Sequence, residues 1–301
     1  MRFIHFVLLL IFIFSCSKPV PQFSQDNAFT YIEKQISFGP RNPGSQGHQA
    51  CFDFLKTELE KSASVVRVQE FNWYDKRFDQ NYRLKNIVAS FYPSKMNRVL
   101  LAAHWDTNPI AEKETDSLKR NQPILGANDG AAAVAVLLEI ATVLKQNEPA
   151  FGIDIVLFDG EDLGSKDAGD NYSIGSKEFA KVMTKYKPQF GILIDLIGGK
   201  DLLIRKEFFS NQAYPNVIRK VWDHAHDLGY ENVFMEEIGE SIMDDHVPLI
   251  KIGIPIINII DMEIVNNKHR IHHTQNDVID QIDKQSLQII GDVLLTSIYK
   301  E

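Results

Sequence analysis

Five segments of this chain each deliver an acid or a histidine at the end of a short apolar run or a small-residue loop, and few folds accommodate that pattern. Residues 99–103 lead into His104-Trp105-Asp106, and the mostly apolar run 153–158 leads into Asp159-Gly160-Glu161-Asp162. Residues 191–194 end at Asp195, and 256–260 are followed closely by His272-His273-Thr274. Asp129 stands in Gly126-Ala127-Asn128-Asp129-Gly130. Strand-length apolar runs alternating with helical stretches predict an α/β domain, with a mostly parallel or mixed sheet covered by helices on both faces. Such sheets bind their ligands just beyond strand ends. Oxygen and imidazole donors with no cysteine among them suit a catalytic zinc rather than a structural one.

With 301 residues, 44% of them hydrophobic, the chain can bury one large core, and no linker or repeat divides it. A net charge of −8 with acids spread along the chain argues against nucleic acid or an anionic membrane as the main partner. The N-terminus is read apart from the fold. Arg2 precedes the unbroken apolar stretch 6–14, too short for a membrane span, and Ser15-Cys16 closes it. Residues 1–15 are expected to be a signal peptide, 16–26 a polar tether and 27–301 the folded domain. A cysteine directly after Ile13-Phe14-Ser15 resembles a bacterial lipobox. That resemblance implies lipidation of Cys16, and Ser17 after it matches the pattern sent to the outer membrane; an ordinary cleaved signal or a signal anchor is the alternative. Cys51 lies in an apolar helical stripe and reads as a buried thiol, which leaves no pair for an internal disulfide in the domain.

Local patterns predict the elements. Helices are expected at 28–36, at 46–61 behind a Ser45 N-cap, and at 131–145, 176–186, 217–228, 247–252 and 285–299. Residues 65–73 and 84–92 alternate like half-exposed strands. The stretch 131–145 is rich in alanine, valine and leucine, so it is expected to be buried on most sides. Gly130 and the alanines after it allow the backbone to approach closely behind Asp129. Residues 107–125 and 163–174 read as loops.

Taken singly, a His-x-Asp or an Asp-Gly is usually a surface turn. Together, the order His-x-Asp, Asp-Gly, Glu-acid, Asp and His-Thr resembles the zinc aminopeptidase and glutaminyl cyclase superfamily, from about Phe38 to the C-terminus. Several stretches resemble its glutaminyl-peptide cyclotransferase branch. They are Phe38-Gly39-Pro40-Arg41-Asn42-Pro43-Gly44-Ser45, Ala103-His104-Trp105-Asp106-Thr107, Pro123-Ile124-Leu125-Gly126-Ala127-Asn128-Asp129-Gly130, Asp195-Leu196-Ile197-Gly198 and Asp244-Asp245-His246-Val247-Pro248. The resemblance implies a single-domain three-layer sandwich and a zinc held by Asp129, Asp162 and His273, with one position open for substrate. In the di-zinc peptidases, the positions of His104 and Asp195 serve a second metal with the Asp129 position bridging. The cyclases keep both residue types, work with one zinc and use that second acid for hydrogen bonding.

The residue before Asp245-His246 separates the branches: peptidases usually have serine there and cyclases aspartate, and here it is Asp244. Asp195 and Asp244 would share a proton where they meet, since two close carboxylates do not easily both ionise. The resemblance implies that Glu161 moves the proton, Asp195 and Asp244 steady the leaving nitrogen, and an N-terminal glutamine of a peptide or protein is closed to pyroglutamate. A di-zinc aminopeptidase and an inactive peptide-binding lipoprotein are the alternatives. The helix N-cap reading competes for Asp244 and is favoured for Asp245.

Two positions depart from the cyclase pattern. His272 stands where a tryptophan usually precedes the zinc histidine, and 163–172 lacks the tryptophan of the animal enzymes. Ile271, Trp105 or Phe234 is expected to supply the apolar wall instead. Asp162 replaces a glutamate ligand, a mild change because either carboxylate binds zinc. His48 is expected on the exposed side of its helix, His224 and His226 point apart, His246 lies beside the acids and His269 is exposed.

Overall fold

Val99, Leu101 and Ala103 bury into one core while Leu100 and Ala102 bury into another, because alternate side chains of a strand point to opposite faces. The strand Arg98–His104 (β3) is therefore covered on both sides, as its unbroken apolar run requires. The computed structural model describes residues 19–164, 172–266 and 268–300. Its six-stranded sheet runs β1 (Val65–Asp75), β2 (Gln80–Phe91), β4 (Gly152–Phe158), β3, β5 (Phe190–Asp195) and β8 (Ile256–Ile260). β1 and β2 form an antiparallel hairpin, β2 pairs antiparallel with β4, and β4, β3, β5 and β8 are mutually parallel neighbours. The expected mixed, mostly parallel sheet is the observed one.

Helices α1 (Gln25–Ile36), α2 (Gln46–Glu60), α4 (Ala133–Gln146), α7 (Pro215–Asp227) and α10 (Lys284–Tyr299) pack on the larger core. On the other face lie α5 (Ile174–Val182) and α8 (His246–Lys251). The remaining elements are short: α3 (Ser117–Arg120), β6 (Ile204–Lys206), α6 (Phe208–Ala213), β7 (Phe234–Ile238) and α9 (Met262–Val265), with β6 and β7 forming a two-stranded parallel sheet. α4 is the predicted buried helix; together with the turn before it, it is long and apolar enough to cross a membrane, yet it is a core helix here. Ser45 caps α2 as expected, accepting from the His48 amide at 3.0 Å.

Several expectations give way. Residues 1–15, Cys16 and most of the loop 163–172 lie outside the described residues. The stretch expected as a tether over 16–26 is already folded at its end: Phe23 is buried against Gly291 of α10, Ser24 caps α1, and the helix starts at Gln25. His48 is not exposed. It is buried, stacks on Trp105 at 4.4 Å between ring centroids, and bonds the Asp159 carboxylate at 2.9 Å.

Candidate metal centre

The parallel strands all end on one side, and that edge collects the acids and histidines. His104 is the last residue of β3 and Asp195 the last of β5. Glu161 and Asp162 follow β4 in a turn fixed by Asp106, whose carboxylate accepts from the Glu161 amide at 3.1 Å and the Asp162 amide at 3.2 Å. Asp129 lies in a distorted helical turn over Ala127–Ala132, broken at Asp129 (φ −83°, ψ 91°) and Gly130 (φ 89°). At Gly130 a Cβ would stand 3.1 Å from both the His104 ring and the Asp106 carbonyl, so the predicted close approach behind Asp129 is real. Asp277 anchors the same turn, accepting from the amides of Asn128 at 2.7 Å and Asp129 at 3.0 Å. Arg41 is fully buried and donates to the carbonyls of Trp105, Leu125 and Gly126 at 2.8–3.0 Å and of Asp129 at 3.4 Å.

These supports bring five predicted residues together. His273 Nε2 lies 3.1 Å from Asp162 Oδ1 and 3.5 Å from Asp129 Oδ2. His104 Nε2 lies 3.2 Å from Asp129 Oδ1 and 3.1 Å from Asp195 Oδ1. Ligand atoms around a tetrahedral zinc are separated by roughly 3.3 Å, given metal–ligand distances of about 2.0–2.1 Å. Both groupings fit that spacing, with Asp129 reaching into each. Asp129 Oδ2 and Asp162 Oδ2 are buried without a hydrogen-bond partner among the described residues, which a cation would satisfy. His273 Nδ1 meets Glu112 at 2.9 Å, the outer carboxylate that commonly orients a metal-bound imidazole. Donor chemistry, spacing and orphaned oxygens together fit zinc.

The electrostatics point the same way. Burial opposes charge on His273, yet Asp162, Glu112 and Asp129 outweigh it and lift the imidazole to about 10. Burial likewise opposes charge on His104, and Asp195, Asp106 and Asp129 raise it well above its usual value. Asp129 is held well below the carboxylate range by His104 and His273 despite its burial. Burial and the neighbouring Asp129 push Asp162 up to about 6. The acids that raise the two histidines would equally attract a metal cation.

Glu161 and Asp244 adjoin this cluster. Burial first, and then the carboxylates of Asp162 and Asp244, raise Glu161 well above its usual range; the Ser173 hydroxyl donates to it at 3.3 Å. Burial, against the pull of His104 and with Asp244 and Asp129 adding repulsion, lifts Asp195 to about 7. Asp244 accepts from Asn258 Nδ2 at 2.6 Å and from the Asp245 amide at 2.5 Å. The cap reading fails for Asp245: its side chain makes no cap bond and is fully buried. His246 pairs with Glu207 at 3.1 Å rather than with the acids. His224 and His226 go separately to Ser297 and the Phe234 carbonyl, and His269 is exposed, all as expected.

Of the expected wall residues, Trp105 is turned away, donating to the Lys85 carbonyl, and Phe234 packs edge-on against Trp222 in the core. Ile271 is buried with Leu196, Ile260, Met262 and Ile264 beside Asp195. Sequence reasoning passed over Tyr172, whose phenol is raised by burial and by the fields of Glu112, Glu161 and Asp162. Local sequence carries no signal for it.

Comparison with known proteins agrees with this arrangement. Residues 86–298 match the model of peptidase family M28. The crystal structure of Tannerella forsythia glutaminyl cyclase superposes with a TM-score of 0.88 at 39% identity, covering 93% of this chain and 100% of that one. A Zn-dependent exopeptidase from Parabacteroides distasonis gives 0.89 at 36%, covering 94% and 100%. The aminopeptidase YwaD of Bacillus subtilis is 24% identical over 277 residues, 88% of this chain, which spans only about half of that enzyme's length (54%).

Proposed function

The chain belongs to peptidase family M28, and within it we propose a zinc-dependent glutaminyl-peptide cyclotransferase, converting N-terminal glutamine of peptides or proteins to pyroglutamate with release of ammonia. The observation that carries this reading is Asp244. It is a buried carboxylate held by Asn258 and the Asp245 amide, and its field acts on both Glu161 and Asp195. A peptidase that activates water has no need of a second acid there, whereas a leaving amide nitrogen needs acceptors to hold it.

On this reading Asp129, Asp162 and His273 hold one zinc, and Asp195 with His104 forms a hydrogen-bonded pair beside it. Zinc, when bound, supplies Lewis-acid polarisation of the substrate's side-chain carbonyl. Glu161 takes a proton from the α-amine as the new N–C bond closes the five-membered lactam. It then gives that proton to the departing amide nitrogen, which leaves as ammonia when its C–N bond breaks. Asp195 and Asp244 hold that nitrogen by hydrogen bonds. Burial of all these carboxyls keeps water from competing with the amine.

The second reading, a di-zinc aminopeptidase, is favoured by one observation: His104, Asp129 and Asp195 also lie at ligand spacing. Ammonia release from a glutamine-initiated peptide, assayed beside release of the first residue from a leucine-initiated peptide, separates the two. Ammonia alone supports cyclisation; a freed residue supports peptidase action, and two tightly bound zinc ions per chain would accompany it. An inactive peptide-binding lipoprotein would give neither product. We propose in addition that residues 1–15 direct export and that a lipid on Cys16 holds the domain at a bacterial outer membrane or in the periplasm; metabolic labelling with a fatty-acid analogue, lost in Cys16→Ser, tests this.

A further inference from the structure

We propose that His272 is a fourth, displaceable protein ligand of the zinc held by Asp129, Asp162 and His273. The inference rests on that metal-site reading and concerns a residue it leaves idle. His273 has a left-handed backbone (φ 54°), and the rings of His272 and His273 stand side by side, 4.0 Å between centroids and tilted by 51°. Non-glycine residues in this conformation are uncommon and gather at functional sites.

One edge of the His272 ring is fixed from outside. His272 Nδ1 stands 2.5 Å from Lys113 Nζ and 3.3 Å from the Val265 carbonyl, which Lys113 Nζ also meets at 3.0 Å. The zinc-binding tautomer carries its proton on Nδ1, donating to that carbonyl, and its lone pair on Nε2. That leaves Nε2 as the free edge, and it lies 4.0 Å from Asp129 Oδ2. The same oxygen is 3.5 Å from His273 Nε2 and is buried without a hydrogen-bond partner among the described residues. Potential ligand atoms of Asp129, His272 and His273 all fall within 4.8 Å of one another. Bringing His272 Nε2 to ligand spacing from Asp129 takes a shift of less than about 1 Å.

Position in the site explains why such a ligand can leave. The His272 side chain is 12% exposed, against 5% for His273 and 3% for Asp129, so it sits at the mouth of the centre. Three protein ligands leave a catalytic zinc open, and a fourth closes it. In the resting protein His272 fills the open position and retains the metal; an incoming carbonyl oxygen takes its place. An indole at this position has only a donor N–H and no lone pair to offer zinc, so a chain with tryptophan here would lack the device.

The test compares the zinc-loaded wild-type protein with His272→Phe by chelator competition, and both by visible absorption after cobalt substitution. The variant should release zinc at least about tenfold more readily, and its cobalt bands should shift because an imidazole has left the coordination sphere. Equal zinc retention with unchanged cobalt spectra overturns the proposal. A wild-type protein that takes up no zinc overturns the metal-site reading instead, and this proposal with it. Zinc-free melting temperatures report whether the substitution disturbs the fold. His272→Leu serves as the second variant, with the same expectation.

Discussion

Arg41 is the residue on which the geometry of the centre most depends, because one fully buried guanidinium serves four backbone carbonyls in two loops. Each carbonyl left unpaired in a buried site costs about 1–3 kcal/mol. Arg41→Met should therefore destabilise the protein by at least about 3 kcal/mol in denaturant unfolding. Arg41→Lys should recover only part of that, since an ammonium cannot span the same acceptors. Glu161 makes a different kind of claim. Glu161→Gln should bind zinc as the wild type does and lose at least about a hundredfold in turnover, the scale of a lost general base. A normal rate in that variant would remove Glu161 from the mechanism. The candidate metal-site residues are readable because each follows a short apolar run or, for Asp129, stands in a small-residue loop. His48 and Asp245 were misread for a shared reason: their surroundings come from elements far away in sequence. His48 owes its burial to Trp105 and Asp159, and Asp245 its burial to the packing of α5 on α8.

Among the elements, α6 and α8 are tied by a buried pair that the mechanism does not use. Burial would raise the Glu207 carboxyl, but His246 at 3.1 Å and the Ser210 hydroxyl and amide, each at 2.7 Å, outweigh it and hold it below its usual value. A carboxyl whose folded value lies below its unfolded one stabilises the fold above the unfolded value and loses that contribution as pH falls through the folded value. The melting-temperature gap between wild type and Glu207→Gln should be full near neutral pH and shrink as the pH drops below about 4.5; a gap that widens in acid would contradict the assignment. Element identity was largely legible, since the strands of the six-stranded sheet and the helices α2, α4, α7 and α10 appear within a few residues of their expected bounds, whereas the short β6 and β7 carry no such pattern. The ends were less so. Helix α1 begins at Gln25 because Ser24 accepts from the Asn27 amide, a cap hidden in what reads as a polar tether.

For the whole molecule, the proposed zinc joins the turn before α4, the loop after β4 and the loop after β8. A ligand that binds only the folded state stabilises it in proportion to the logarithm of its concentration over its dissociation constant. Stripping the metal with a chelator should lower the melting temperature, and zinc should restore it while magnesium does not; an unchanged melting temperature would deny that the centre holds metal. The α/β layering followed from strand-length apolar runs between helices. What local patterns lacked was the order of strands in the sheet, which places β3 between β4 and β5 and so brings His104, Asp162 and Asp195 to one edge. Cyclisation of a peptide N-terminus leaves a mass signature that one product analysis reads. A purified, zinc-loaded sample is incubated with a glutamine-initiated peptide and the product is weighed by mass spectrometry, with Glu161→Gln alongside. The wild type should form a peptide of unchanged length lighter by one ammonia and the variant should not; a peptide shortened by its first residue would rule out cyclisation as the activity.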